Sequence, residues 1–206
     1  MSFRLKVANA LASKSLLGRE LGRVAELTTA VLNELVEDHA PGRLETLVGE
    51  DLPMEGDLGD RRRAMADAHS RRVSALVDVL GEEEAVRLAR KRMGPAGERL
   101  GAEARTRLGV DGSMDDLVSA AELLYKVLGI EFEMEEKEGG SVTLHIGRCG
   151  LAEGYEGITC HIMSAADEGM IRGLNPHASM VFQHRMTEGA DECVAHIQID
   201  EGGDEG

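Results

Sequence analysis

IEFEMEEKEGGSVTLHIGR, residues 130–148, is the stretch whose pattern decides the fold. In its first part Ile130, Phe132 and Met134 alternate with Glu131, Glu133 and Glu135. In its second part Val142, Leu144 and Ile146 alternate with Thr143, His145 and Gly147. Side chains on a strand repeat every two residues, so 130–136 and 141–148 each present one apolar face and one polar face. Residues 138–140, with Gly139 and Gly140, supply the turn, and the stretch predicts an antiparallel hairpin. One hairpin is only marginally stable in water, so it requires further strands and a layer of helices over its apolar face.

The rest of the chain provides both. Segments 180–186 and 193–199 are two more strands around 187–191, where Glu188-Gly189 suits a tight turn. Between the hairpins Ser164-Ala-Ala-Asp167 signals a helix start, and Leu174-Asn175-Pro176 stops that helix. Upstream, helical periodicity covers 13–39, 61–80 and 82–108, with Gly81 as a break and Gly94-Pro95 predicting a kink or split in the third stretch. Ser113-Met-Asp-Asp116 resembles a capping box and opens a helix that runs to Gly129. The fold class is α+β, with N-terminal helices packed on a four-stranded antiparallel sheet built from two hairpins.

Within 13–39 the apolar seam Leu17, Leu21, Val24, Val31 and Leu35, with Thr28 in the remaining position, needs a partner helix from the same chain or a second copy. The organisation this predicts is a helical arm at 1–40, serving a homodimer or a partner helix through residues 13–39. A loop at 41–60, an α+β small-molecule-binding domain at 61–199 and a disordered acidic tail at 200–206 complete it. A helical-seam adaptor is the structural alternative to a ligand-binding role.

A net charge of −15 repels phosphate backbones and anionic headgroups, which argues against nucleic acid as a partner. A local basic run of Arg4, Lys6, Lys14, Arg19 and Arg23 reads as a solvated helix face. No apolar run reaches transmembrane length, so no integral membrane segment is expected. Three cysteines, an odd number, suit a cytoplasmic chain with reduced thiols. With aromatics at only 2% and ten methionines, the core must be aliphatic and methionine-rich.

Chemistry concentrates at the C-terminal end. Cys149, Cys160 and Cys193 fall with His145, His161, His177, His184 and His196 inside residues 145–196. Thiolates and imidazoles are ligands of soft divalent metals and also nucleophiles and bases. Cys149, Cys160, His161 and Cys193 are therefore candidate ligands of zinc or another divalent metal. Buried inert thiols, or a Cys160 or Cys193 nucleophile with His161 or His184 as base, are the alternatives. Period-two geometry places His184 between Phe182 and Met186 on the apolar face and Arg185 on the opposite one, where its guanidinium can clamp a carboxylate. The same rule buries Cys193, Ala195 and Ile197 and turns His196 outward.

Several of these elements together carry a resemblance. Arg148-Cys149, then Cys160, a short Asp-containing helix, Leu174-Asn175-Pro176, a strand, and the run from Glu188-Gly189 to Cys193 resemble the L-2-amino-thiazoline-4-carboxylic acid hydrolase family. More distantly they are similar to vinyl-reductase-like small-molecule-binding domains. The resemblance spans about 79–199 and implies a small α+β fold around a small-molecule ligand. From the second group it implies that Cys193 is a zinc ligand, although Arg185 stands where that group has its preceding cysteine. From the first it implies hydrolytic opening of a small cyclic amidine, with water activated near Cys149, Cys160 and His184, and Arg185 holding a substrate carboxylate.

Overall fold

The computed structural model describes residues 13–137 and 140–200. Helix α1 (Lys14–His39) is opened by Ser13, whose hydroxyl accepts from the Leu16 amide at 3.3 Å and satisfies one of the donors a helix start leaves free. Its buried stripe is Gly18, Leu21, Ala25, Thr28, Leu32 and Leu35. The cover over that stripe comes from the same chain: α3 (Leu58–Leu80) and α4 (Glu82–Leu108) lie against it. A short helix α2 (Leu44–Val48) interrupts the connection between α1 and α3. Arg72 of α3, itself buried, ties that connection down with 2.7 Å hydrogen bonds to both carboxylate oxygens of Asp51 and a 2.6 Å bond to Asn33 of α1.

Helix α5 (Met114–Leu128) starts where its cap predicts, the Ser113 hydroxyl accepting from the Asp116 amide. It ends at Gly129 with φ 71°, the left-handed conformation that favours glycine. Two other helix signals resolve differently. Gly94-Pro95 predicts a split, yet α4 is one continuous helix. Pro95 and Lys91 both face solvent, so the carbonyl that the proline leaves without a helix partner lies on the exposed side of α4. The Ser164 start is absorbed into α6 (Gly157–Leu174), where Ser164 is buried and donates back to the His161 carbonyl at 2.9 Å.

α4 and α6 run side by side in the same direction, backbone against backbone. A Cβ built on Gly97 would stand 2.0 Å from the Ala166 carbonyl oxygen, and one on Gly169 would stand 2.0 Å from that of Gly94. Gly101 and Gly173 meet Met170 and Glu98 equally closely. Only hydrogen fits at these positions.

Strands β1 (Glu131–Glu136), β2 (Val142–Arg148), β3 (Ala178–His184) and β4 (Cys193–Ile199) form one antiparallel sheet in the order β1-β2-β4-β3. Both predicted hairpins are present, joined through β2 and β4. Of the predicted turn, Glu138 and Gly139 lie outside the described residues; Lys137 donates to the Ser141 carbonyl across it at 2.8 Å. Arg4 and Lys6 of the basic run, and residues 201–206 of the tail, also lie outside. Leu144, Ile146, Cys193, Ala195, Ile197 and Met180 form the inner face, against Leu117, Ala121 and Tyr125 of α5 and Ile171 of α6. No helix among the described residues is long and apolar enough to cross a membrane.

β3 departs from its expected register. It occupies 178–184 rather than 180–186, and its pairing with β4 shifts between Phe182 and His184, which stand opposite Ala195 and Val194 respectively. Gln183 is the extra residue of a bulge, and beyond it the inward and outward parity inverts. His184 is consequently exposed, not buried, and Arg185 is buried, not exposed.

Candidate functional site

Where the helical layer meets the sheet, the three apolar clusters of the core leave a cavity of about 110 Å³ between them. One water needs only ~10–15 Å³ of such space, and an apolar cavity of ~150 Å³ admits benzene, so a ring of five or six atoms is the natural scale of occupant. Val24, Met65, Leu100, Leu124, Met163 and Phe182 make the walls largely apolar. Three charged members of the lining mark its mouth: Arg107, which is exposed, and Glu20 and Arg23, which are half-buried. There Glu20 pairs with Arg107 at 3.2 Å and with Arg23 at 3.6 Å, and Arg23 also pairs with Glu103.

Few polar groups reach the cavity, and each is positioned by an identifiable element. Asp167 comes from the face of α6 that also carries Cys160, Met163, Ser164 and Met170. Burial, reinforced by neighbouring Glu168, pushes its pKa from 3.8 to about 7. It keeps some accessible surface because it faces the hollow. Also in the lining, Tyr155 bonds to His69 Nδ1 at 2.7 Å, His69 Nε2 to Thr28 Oγ1 at 2.8 Å, and Thr28 donates to the Val24 carbonyl at 2.7 Å. His69 is completely enclosed, and desolvation, with Arg72 nearby, holds its pKa down at about 3, so it is neutral.

All three cysteines line this one cavity. Cys149 follows β2, Cys160 lies in the first turn of α6, and Cys193 opens β4, where its sulfur accepts from the Met186 amide at 3.2 Å. Burial raises the pKa of every one, that of Cys149 to about 11, which keeps them as thiols. His161, the fourth expected ligand, does not join them; it is half-buried outside the lining, its pKa lowered by burial and by Arg90 and Arg185. Among the described residues no three His, Cys, Asp or Glu side chains are grouped to hold a metal ion.

The expected catalytic pair also lies elsewhere. His184 stands on the open face of the sheet. Arg185 sits behind the cavity wall, its guanidinium 3.1 Å from Ser164 Oγ, 5.2 Å from the centre of the Phe182 ring and 3.6 Å from Glu188. His196 faces outward as predicted and bonds to Thr143 at 2.8 Å; His145 bridges Glu192 and Glu135 on the same outer face, which raises its pKa. Asp167, Tyr155, His69 and Thr28 carried one faint signal in the sequence. Thr28, His69 and Asp167 each stand in a largely apolar stripe at helical spacing.

The family defined by L-2-amino-thiazoline-4-carboxylic acid hydrolase matches residues 61–197, more than half of the chain. The chain belongs to this family. The match includes α3 to α6 and nearly the whole sheet, and with them Asp167, Tyr155, His69 and all three cysteines. α1, which contributes Thr28 and the mouth residues Glu20 and Arg23, lies outside the part matched to the hydrolase family. No curated protein matches the sequence. Among solved structures, the chain is similar to a trafficking protein particle complex subunit 3 from Naegleria fowleri covalently bound to palmitic acid. That likeness has 14% identity and a TM-score of 0.49, covering 68% of this chain and 95% of that one. It is also similar to an H-NOX domain from Shewanella oneidensis in the Fe(II)CO ligation state, with 16% identity, a TM-score of 0.42, and 98% and 99% of the two chains covered. With TM-scores below 0.5, these likenesses say nothing about function.

Proposed function

We propose that this protein hydrolyses a carbon–nitrogen bond of a small cyclic amidine held in the cavity, with Asp167 as its acid–base group. The observation that carries this reading is the position of Asp167, a carboxyl inside an apolar hollow with its pKa raised to about 7 by burial. Near neutral pH both of its protonation states are populated, which is what a group that takes and returns a proton requires. As carboxylate it accepts a proton from water while the water oxygen bonds to the amidine carbon. As acid it gives that proton to the ring nitrogen, then takes the hydroxyl proton of the adduct and passes it to the same nitrogen as the carbon–nitrogen bond breaks and the amidine carbon becomes a carbonyl. One water is consumed and the carboxylate is restored.

Family membership supports the reaction type, and the cavity supports the size of substrate. Arg23 and Arg107 hold a substrate carboxylate at the mouth by exchanging it for Glu20, the role that sequence assigns to Arg185. The thiols form walls. The test is incubation of the purified protein with 2-amino-thiazoline-4-carboxylate, following loss of the ring by proton NMR. Turnover by wild type and a loss of at least ~100-fold in Asp167→Asn is the expected result. Equal rates in the two proteins would reject Asp167 as the acid–base group, and no turnover by wild type rejects the hydrolase.

Binding without turnover is the second reading, favoured by the apolar walls and by thiols that burial keeps protonated. Saturable binding of the same compound by a wild type that leaves it intact selects this reading over the first.

A further inference from the structure

The chain of hydrogen bonds behind Tyr155 has a direction, and that direction reaches the cavity. Thr28 has a single hydroxyl proton. At 2.7 Å from the Val24 carbonyl oxygen that proton must lie between the two, because otherwise two oxygens would face each other lone pair to lone pair. Thr28 Oγ1 therefore accepts from His69, and the proton of the imidazole is on Nε2. A neutral imidazole has only one N–H, so Nδ1 is an acceptor and takes the Tyr155 hydroxyl proton. Tyr155 is left with oxygen lone pairs and no free proton. It lines the cavity within electrostatic reach of Asp167, Cys149 and Cys160.

We propose that Thr28 and His69 fix the polarity of Tyr155, so that its oxygen accepts a hydrogen bond and selects ligands bringing an N–H or O–H donor, such as the exocyclic amino group of a cyclic amidine. The proposal rests on the reading of the cavity as the binding site and adds the residues that set its specificity. Tyr155 recognises, and His69 and Thr28 position. A cavity with few polar groups discriminates strongly through the ones it has, because a buried acceptor left unpaired is costly.

The test compares two ligands of the same ring and nearly the same size, 2-amino-2-thiazoline and 2-methyl-2-thiazoline, by calorimetric titration. Wild type is expected to prefer the amino compound by about tenfold or more, roughly the value of one hydrogen bond. Tyr155→Phe is expected to lose at least ~threefold of that preference; Asp167 attracts the amino compound equally in both proteins, so the change belongs to Tyr155. Thr28→Val removes the acceptor for Nε2–H, which lets His69 take the other tautomer and turns the Tyr155 proton into the cavity. That variant is expected to shift preference toward 2-thiazolidinone, whose carbonyl accepts, with Thr28→Ser restoring the wild-type order. Nitrogen-15 shifts of the His69 ring report the tautomer independently of binding, and thermal unfolding confirms that each variant is folded.

An unchanged preference in folded Tyr155→Phe overturns the proposal, as does wild type binding neither thiazoline at millimolar concentration. Preference without any hydrolysis of 2-amino-thiazoline-4-carboxylate leaves this assignment standing and removes the hydrolase. Hydrolysis without preference does the reverse.

Discussion

Replacing Asp167 with asparagine should make the protein more stable at neutral pH while abolishing its proposed activity. In the folded chain the carboxyl holds its proton up to about pH 7, whereas in the unfolded chain it ionises near its ordinary value of 3.8. Between these values the folded state binds a proton that the unfolded state lacks, so wild-type stability falls as pH rises through this window and levels off above it. At about 1.36 kcal/mol per pH unit, the gap corresponds to a ceiling of about 4 kcal/mol, which water entering the cavity reduces. Asparagine has nearly the same shape and no charge to desolvate, so the variant escapes this cost. Urea denaturation of both proteins from pH 4 to pH 9, followed by far-ultraviolet circular dichroism, measures the difference directly. The expected curve is near zero at the acid end and reaches a few kcal/mol in favour of Asp167→Asn above pH 7. His69 titrates in both proteins and cancels. A difference that does not vary with pH, or a variant less stable than wild type at pH 8, refutes the reasoning about burial and with it the carboxyl's assigned setting.

Further predictions follow from other parts of the molecule. His69 should remain neutral, with its proton on Nε2, to below pH 5 in nitrogen-15 NMR; its depressed pKa means stability is lost as pH falls from 6.5 toward 3. Cys149, pushed from 9.0 to about 11, carries about 100-fold less thiolate at neutral pH than an ordinary thiol. Its reaction with a disulfide reagent at pH 7.5 should be correspondingly slow and should become rapid on unfolding in urea. Gly97→Leu should destabilise the fold by about 3 kcal/mol or more, since even a Cβ there meets the Ala166 carbonyl at 2.0 Å and forces α4 and α6 apart. Calorimetric unfolding checks it, and an unshifted transition would contradict the backbone contact. Ser113→Ala should cost about 1 kcal/mol through loss of the α5 cap, measured by urea denaturation.

Secondary structure was legible wherever a local rule acts alone. Ser13 and Ser113 cap their helices because a side-chain oxygen within three residues of a free amide needs no tertiary help. Period-two alternation located the first hairpin and the buried face of β4 for the same reason. Local rules failed where a neighbour intervened. Pro95 leaves α4 whole because the missing bond falls on the wet side while the glycine face is held against α6. Ser164-Ala-Ala-Asp167 reads as a start, but it lies within a helix already begun at Gly157. The bulge at Gln183 reversed both His184 and Arg185, because one extra residue inverts every side chain beyond it.

The candidate site divides in the same way. From the sequence alone came the α+β class, the two hairpins, the family to which the chain belongs, and the grouping of thiols and imidazoles toward the C-terminal end. Each of these depends on residue type and on spacing within one segment, which folding does not alter. Only the tertiary structure decided that the three cysteines share a cavity, and that Asp167 lines it with them. It alone also joined Thr28 of α1 through His69 of α3 to Tyr155. The physical reason is that a cavity is whatever packing leaves unfilled: its walls come from α1, α3, α4, α5, α6 and the sheet at once, and no single segment records what the others will leave open.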